Sequence, residues 1–190
     1  MVVTEVAEDM VRFYDPHGNP HATLPTDAFA AAWRAETIAY SSRSYTMWAG
    51  FRRLREVNPL DALRSSLPPA ARWASGAGVG HGSGDLGGED ACLLLAERAE
   101  AGLENWQRDH LAWFAIRVGA SRLADAARWL LQAGANDAAA VADLQARLVG
   151  ALQYPVVHDD RTATAELLRR LAPTYQDIAA ALAAYPQPLQ

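Results

Sequence analysis

The sequence predicts an all-α protein, a globular bundle of about seven helices carrying a small N-terminal β-hairpin and a long glycine-rich loop. Three observations lead there. Forty of the 190 residues are alanine, the best helix former and one that lets helix backbones approach closely. Apolar residues recur at three- and four-residue spacing over most of the chain beyond residue 26. One stretch, Gly76 to Gly88, holds seven glycines in thirteen residues, too much backbone freedom for a helix or strand interior. A length of 190 residues suits a single domain spanning 1–190, with residues 1–25 as a hairpin extension and 76–88 as a flexible loop.

Residues 4–12 open as a short helical turn, after which Val11 and Phe13 alternate with Arg12 and Tyr14 as in a half-buried strand. Asp15-Pro16-His17-Gly18-Asn19-Pro20 supplies turn residues, and Ala22 with Leu24 resumes the pairing strand. Thr26 as N-cap and Asp27 in the first turn then start a long helix running to about Val57, whose stripe is Phe29, Trp33, Tyr40, Met47, Trp48, Phe51 and Leu54. Ser41, Ser42 and Ser44 mark a bend in it. Asn58-Pro59 starts a short helix through Leu67, which Pro68-Pro69 ends.

Beyond the glycine run, Glu89 and Asp90 start a second long helix to about Val118, with Cys92, Leu95, Ala99, Leu103, Trp106, His110, Trp113 and Phe114 on its stripe; Gly119 closes it. Ser121 caps a helix with Leu123, Ala127, Leu130 and Leu131 inward, stopped by Gly134. Asn136 caps the next, with Val141, Leu144, Leu148 and Leu152 inward. Tyr154 to Asp160 is a connector whose acids precede a helix from Thr162 to about Ala172. Pro173 opens the last helix, bearing Tyr175, Ile178, Leu182 and Tyr185.

Charge bounds the function. The net charge is -5, which argues against general affinity for nucleic acid. All 17 Lys and Arg positions are arginine, a bias expected from codon usage in a GC-rich genome, with avoidance of lysine-directed modification as the alternative. The charges divide around the glycine run, with six arginines in residues 43–72 and seven acids in residues 85–109, so the two limbs are expected to pair with each other. The lone Cys92 forms no internal disulfide, and no stretch approaches the roughly 18 apolar residues of a membrane span. A soluble cytoplasmic protein is the expectation.

Motifs for chemistry are thin. Gly82-Ser83-Gly84-Asp85-Leu86-Gly87 fits GxGxxG, but no strand precedes it and no lysine follows. His17 and His21 stand four apart, yet Gly18 and Pro20 bar the helix that would aim both at one metal. No metal and no cofactor is expected. Without a catalytic constellation, the favoured expectation is a non-enzymatic helical protein-interaction module: an adaptor, an assembly subunit or an immunity-type inhibitor. Trp129, Arg52, Arg53, Arg55 and Trp73 are its candidate contact residues, because tryptophan and arginine dominate interface centres.

Two alternatives stand beside it. One is a small enzyme or cofactor-binding protein with a site under the glycine-rich loop, using His110 or His81 as acid-base group, with Asp85 nearby. The other is nucleic-acid binding through the arginines of 43–72, interleaved with Trp48, Phe51 and Trp73.

Overall fold

In the computed structural model the described residues are 1–16, 19–34, 36, 43–77 and 86–185. The protein is mostly helical, with a small three-stranded antiparallel sheet at the N-terminus. It divides into two compact units, Met1–Arg55 and Glu56–Gln190.

The N-terminal unit contains strands β1 (Val2–Val6), β2 (Met10–Asp15) and β3 (Asn19–Pro25), paired in that order, and helix α1 (Thr26–Trp33). Val11 pairs with Leu24 and Phe13 with Ala22, the alternation that the sequence predicts. The expected helical turn over residues 4–12 is instead strand β1 and the turn after it. The β-branched Val2, Val3 and Val6 favour extended backbone, and pairing with β2 supplies hydrogen bonds that a short helical turn cannot. Val11, Phe13 and Phe29 form the core of this unit, with Phe29 tilted over Phe13 at a centroid separation of 5.5 Å.

Helix α1 ends at Trp33, which corrects the expected long helix to Val57. Residues 35 and 37–42 lie outside the described set, and residues 43–57 are not helical. Phe29 spends the apolar face of α1 on the sheet. Tyr45 and Gly50 both have left-handed backbone, φ 56° and 70°, which breaks helical register on either side of Met47.

The C-terminal unit opens with α2 (Pro59–Ala74), its first turn capped by Asn58, whose side chain accepts from the Leu60 N–H at 2.9 Å. Pro68 and Pro69 do not end α2, as expected, but lie inside it. Leu67, 2 % exposed, and the half-buried Ala70, Ala71 and Ala74 pack into the same core on either side of the prolines. That packing overrides a local cost of about 3 kcal/mol. The glycine-rich loop falls largely outside the described residues, which resume at 86.

Helix α3 (Gly88–Ala101) stops at Gly102, φ 108°, where a Cβ would stand 2.8 Å from Arg161 Nη1. The expected single helix from Glu89 to Val118 is therefore broken, and a capping box between Glu104 and Gln107 restarts it as α4 (Asn105–His110). A π-helical turn, Leu111–Ala115, then leads without interruption into α5 (Ile116–Gln132). Gly119 does not close a helix and Ser121 does not cap one. Gly119 is a packing residue: a Cβ there would lie 3.4 Å from Val149 of α6 (Asn136–Ala151).

The remaining helices are α7 (Gln153–Val157), within the stretch read as a connector, α8 (Arg161–Leu171) and α9 (Thr174–Ala184). Asp160 caps α8, accepting from the Ala163 N–H at 3.0 Å, as its position before the helix suggests. One core cluster joins α2, α5, α6 and α9 through Leu67, Leu130, Ala138, Ala142 and Ile178. A second joins α3, the π turn, α7 and α8 through Ala96, Ala112, Val156 and Leu168. Leu131 and Leu144, expected inward, are 62 % and 43 % exposed, because alanines of α6 take the inward positions.

Gln145 fixes α6 against the turn between α8 and α9. Its Nε2 donates to the Thr174 carbonyl at 3.2 Å and to Thr174 Oγ1 at 3.1 Å, all of it buried. Gln145→Leu would leave that carbonyl without its donor, and a destabilisation of about 1–3 kcal/mol is expected from urea unfolding, with the midpoint falling and the slope unchanged.

Candidate functional site

The C-terminal end of α1 is tied to the segment that follows it. Trp33 Nε1 donates to the Thr46 carbonyl at 3.2 Å, the Tyr45 ring stands edge-on to Trp33 at 5.9 Å, and Arg34 Nε donates to Tyr45 Oη at 3.0 Å. Beyond this anchor the chain carries Met47, Trp48, Phe51 and Leu54, exposed by 63, 81, 86 and 82 %. A cleft of about 730 Å³ opens beside them, with Val2, Val3, Phe29, Trp33, Met47 and Phe51 in its wall. Its lining is apolar.

Arg52, Arg53 and Arg55 interleave with those apolar side chains and are exposed. Among the described residues Arg52 and Arg55 form no hydrogen bond or ion pair, whereas Arg53 has a partner. The segment therefore combines desolvatable area with cationic forks able to pair with carboxylates in two-point geometry.

The predicted contact residues divide between the two units. Arg52, Arg53 and Arg55 belong to the first, while Trp73, on the last turn of α2, and Trp129, on α5, belong to the second, exposed by 61 and 45 %. His110 is exposed at the end of α4, its ring 5.4 Å from Phe114, rather than seated on an apolar stripe. Its expected neighbours Trp106 and Trp113 are exposed by 69 and 71 %. The break at Gly102 and the π turn shift the helical phase, so the stripe counted from Cys92 no longer faces inward after Leu103. His81 and Asp85 lie outside the described residues.

Ion pairs within the second unit take up several of these charges. Arg64 bonds Asp61 at 3.1 Å within α2, and Glu100 of the acidic stretch pairs with Arg169 on α8 at 2.6 Å. Arg169 holds the Glu100 carboxyl below its usual range, through a hydrogen bond first and charge second. Arg108 and Arg161 share Asp159, at 3.2 and 3.8 Å. Among the described residues no three of His, Cys, Asp and Glu converge on a point where a metal ion would sit.

Met47, Trp48, Phe51 and Leu54 are the site residues that periodicity conceals, because their spacing imitates a core stripe. The signal against it is Gly50 in their midst, between Trp48 and Phe51.

A scan against protein families matches residues 81–183, just over half of the chain, to the YobF C-terminal domain. The chain belongs to the YobF C-terminal domain family. No curated protein and no solved structure matches it. The part matching the YobF C-terminal domain takes in α3 to α8 and nearly all of α9, and leaves the sheet, α1 and the 43–55 segment outside.

Within that part Cys92 is buried, and burial pushes its thiol from 9.0 up to about 11, against a smaller opposing hydrogen bond with Tyr175. Burial also raises Tyr175 to about 12. Since both folded values exceed the ordinary ones, unfolding is favoured by ionisation: stability is full below about pH 9 and falls as pH rises through 9 to 11. Thermal melts should show a lower Tm at pH 10.5 than at pH 8, and Cys92→Ala should reduce that difference. At pH 8 the native thiol should resist iodoacetamide and react within minutes once denatured.

Proposed function

We propose that the protein is a non-enzymatic interaction module that binds another protein, with Met47 to Arg55 as the principal contact segment. The observation that carries this is the exposure of Trp48, Phe51 and Leu54, each above 80 %, in a stretch of irregular backbone. Apolar side chains held in water without a structural return mark association surfaces. The adjoining arginines favour a partner with an acidic rim, and Trp73 and Trp129, exposed on the second unit, are candidate anchors of their own there. An adaptor, an assembly subunit and an immunity-type inhibitor all fit this description.

A cytoplasmic setting goes with it, a reading supported by the absence of any disulfide framework in a chain with one cysteine, Cys92. Among the described residues no helix is long and apolar enough to cross a membrane.

The decisive comparison is between the wild type and a Trp48→Ala, Phe51→Ala double variant, both changes lying on exposed positions. The variant should melt within about 1 kcal/mol of wild type and bind its co-purified protein partner at least tenfold more weakly. Charge reversal by Arg52→Glu and Arg55→Glu should weaken it further, and Trp129→Ala less. Partners retained at unchanged affinity by every variant would defeat the proposal. Binding to single-stranded oligonucleotide that falls steeply with salt would point to nucleic acid instead.

A further inference from the structure

The sheet of the N-terminal unit ends in two unlike edges. β3 is blunted by Pro20 and Pro25, which have no N–H to offer, and by His21, whose left-handed backbone (φ 56°) interrupts the line of the strand. β1 contains no proline and is exposed along its whole length. It pairs with β2 on one side, and among the described residues its other side makes no backbone hydrogen bond. The N–H and C=O groups on that side stand in the geometry that receives a further strand.

The side chains of β1 carry the apolar face of the sheet beyond its covered part. Val3 stands opposite Phe13 and Val6 opposite Val11, the two buried residues of β2. The irregularity between Val3 and Glu5 keeps both valines on that face although an odd spacing would otherwise separate them. Phe29 of α1 packs over Phe13, yet Val3 and Val6 remain 39 and 69 % exposed. The cleft of about 730 Å³ begins there, with Val2 and Val3 sharing its wall with Trp33, Met47, Trp48 and Phe51.

Charge narrows what fits. Residues 43–55 contain arginines and no acid. Arg52 and Arg55, just past Phe51, form no ion pair among the described residues. Glu5, the acid of β1, does not offset them, because Arg12 on β2 holds it.

We propose that β1 receives an extended segment of a partner protein as a fourth strand, a segment with apolar residues at alternate positions and an acidic flank. This rests on the reading of residues 47–55 as a protein contact, and it names the form and chemistry of what binds there. Main-chain hydrogen bonds to β1 hold the segment, and its alternate side chains, all on one face, enter the cleft beside Trp33 and Met47. Carboxylates on the flank take the forks of Arg52 and Arg55. A second copy of this chain is a poorer occupant, since pairing β1 with β1 would bring two arginine-rich segments to one edge, where like charges repel. A helix is poorer too, because it would cover the edge and satisfy none of its backbone groups.

The probe is a library of random peptides displayed on phage and panned against the full chain, with the selected peptides then synthesised. They should alternate apolar and polar residues and carry Asp or Glu at one end. Methylating the backbone amides at one alternate set of positions should weaken binding at least tenfold, and methylating the other set should have little effect, because only one set faces β1. Amide hydrogen exchange should slow in β1 on binding and not in β3. Charge reversal by Arg52→Glu with Arg55→Glu should weaken the peptide at least tenfold at low salt. Apolar residues selected at three- and four-residue spacing, or binding indifferent to amide methylation, would overturn the proposal. The contact reading would survive that result if Trp48→Ala with Phe51→Ala still weakened the peptide, and would fall with it if the double variant bound equally well. Failure to select any peptide would also overturn the added strand, leaving the co-purified partner to decide the contact reading.

Discussion

The contact between α5 and α6 is the constraint on which the C-terminal unit depends. Gly119 meets Val149, Gly150 meets Ala120, and Ala138, Ala139, Ala142 and Ala146 occupy buried positions along α6. With side chains this small the two backbones come close along their length, and cohesion comes from many short dispersion contacts rather than from a few bulky groups. The other helices dock around that pair: α2 and α9 through Leu67, Ile178 and Leu182, and α3, α7 and α8 through Ala96, Val156 and Leu168. A core built from alanine has little room for indole rings, which accounts for Trp106, Trp113 and Trp129 standing at the surface.

Local signals were legible where one residue type has one physical use. Asn58-Pro59 at the start of α2, Asp160 before α8, and the alternation of Val11 and Phe13 with Arg12 and Tyr14 all read correctly. Glycine and proline misled, because each has two uses. Gly119 serves close approach, not termination, and Pro68 and Pro69 are tolerated inside α2 because Leu67 anchors the helix beside them. Gly102, given no weight in the sequence, is the true break. Only tertiary contact separates these cases, and a single sequence does not display it.

The same ambiguity governs the candidate sites. Spacing of three and four placed Met47, Trp48, Phe51 and Leu54 in a core, yet periodicity reports only what a helix would do if one formed. The left-handed backbone at Tyr45 and Gly50 prevents that. In the second unit, a phase count begun at Cys92 fails past Leu103, since Gly102 and the π turn each rotate the faces that follow. Trp113 was thereby hidden as a core residue. Arginine clusters were visible from the start; which of them lie beside apolar surface was not.

The burial of Cys92 has a bearing on how motion in this molecule could be watched. As the sole cysteine, shielded in the cluster of Leu148, Leu171 and Ala172, it leaves the native surface without a competing thiol. A cysteine introduced on the outside of either unit would therefore carry a dye or spin label alone. Two such positions, one in the sheet unit and one in the helical unit, would yield a distance between the units without first stripping the protein of a native residue.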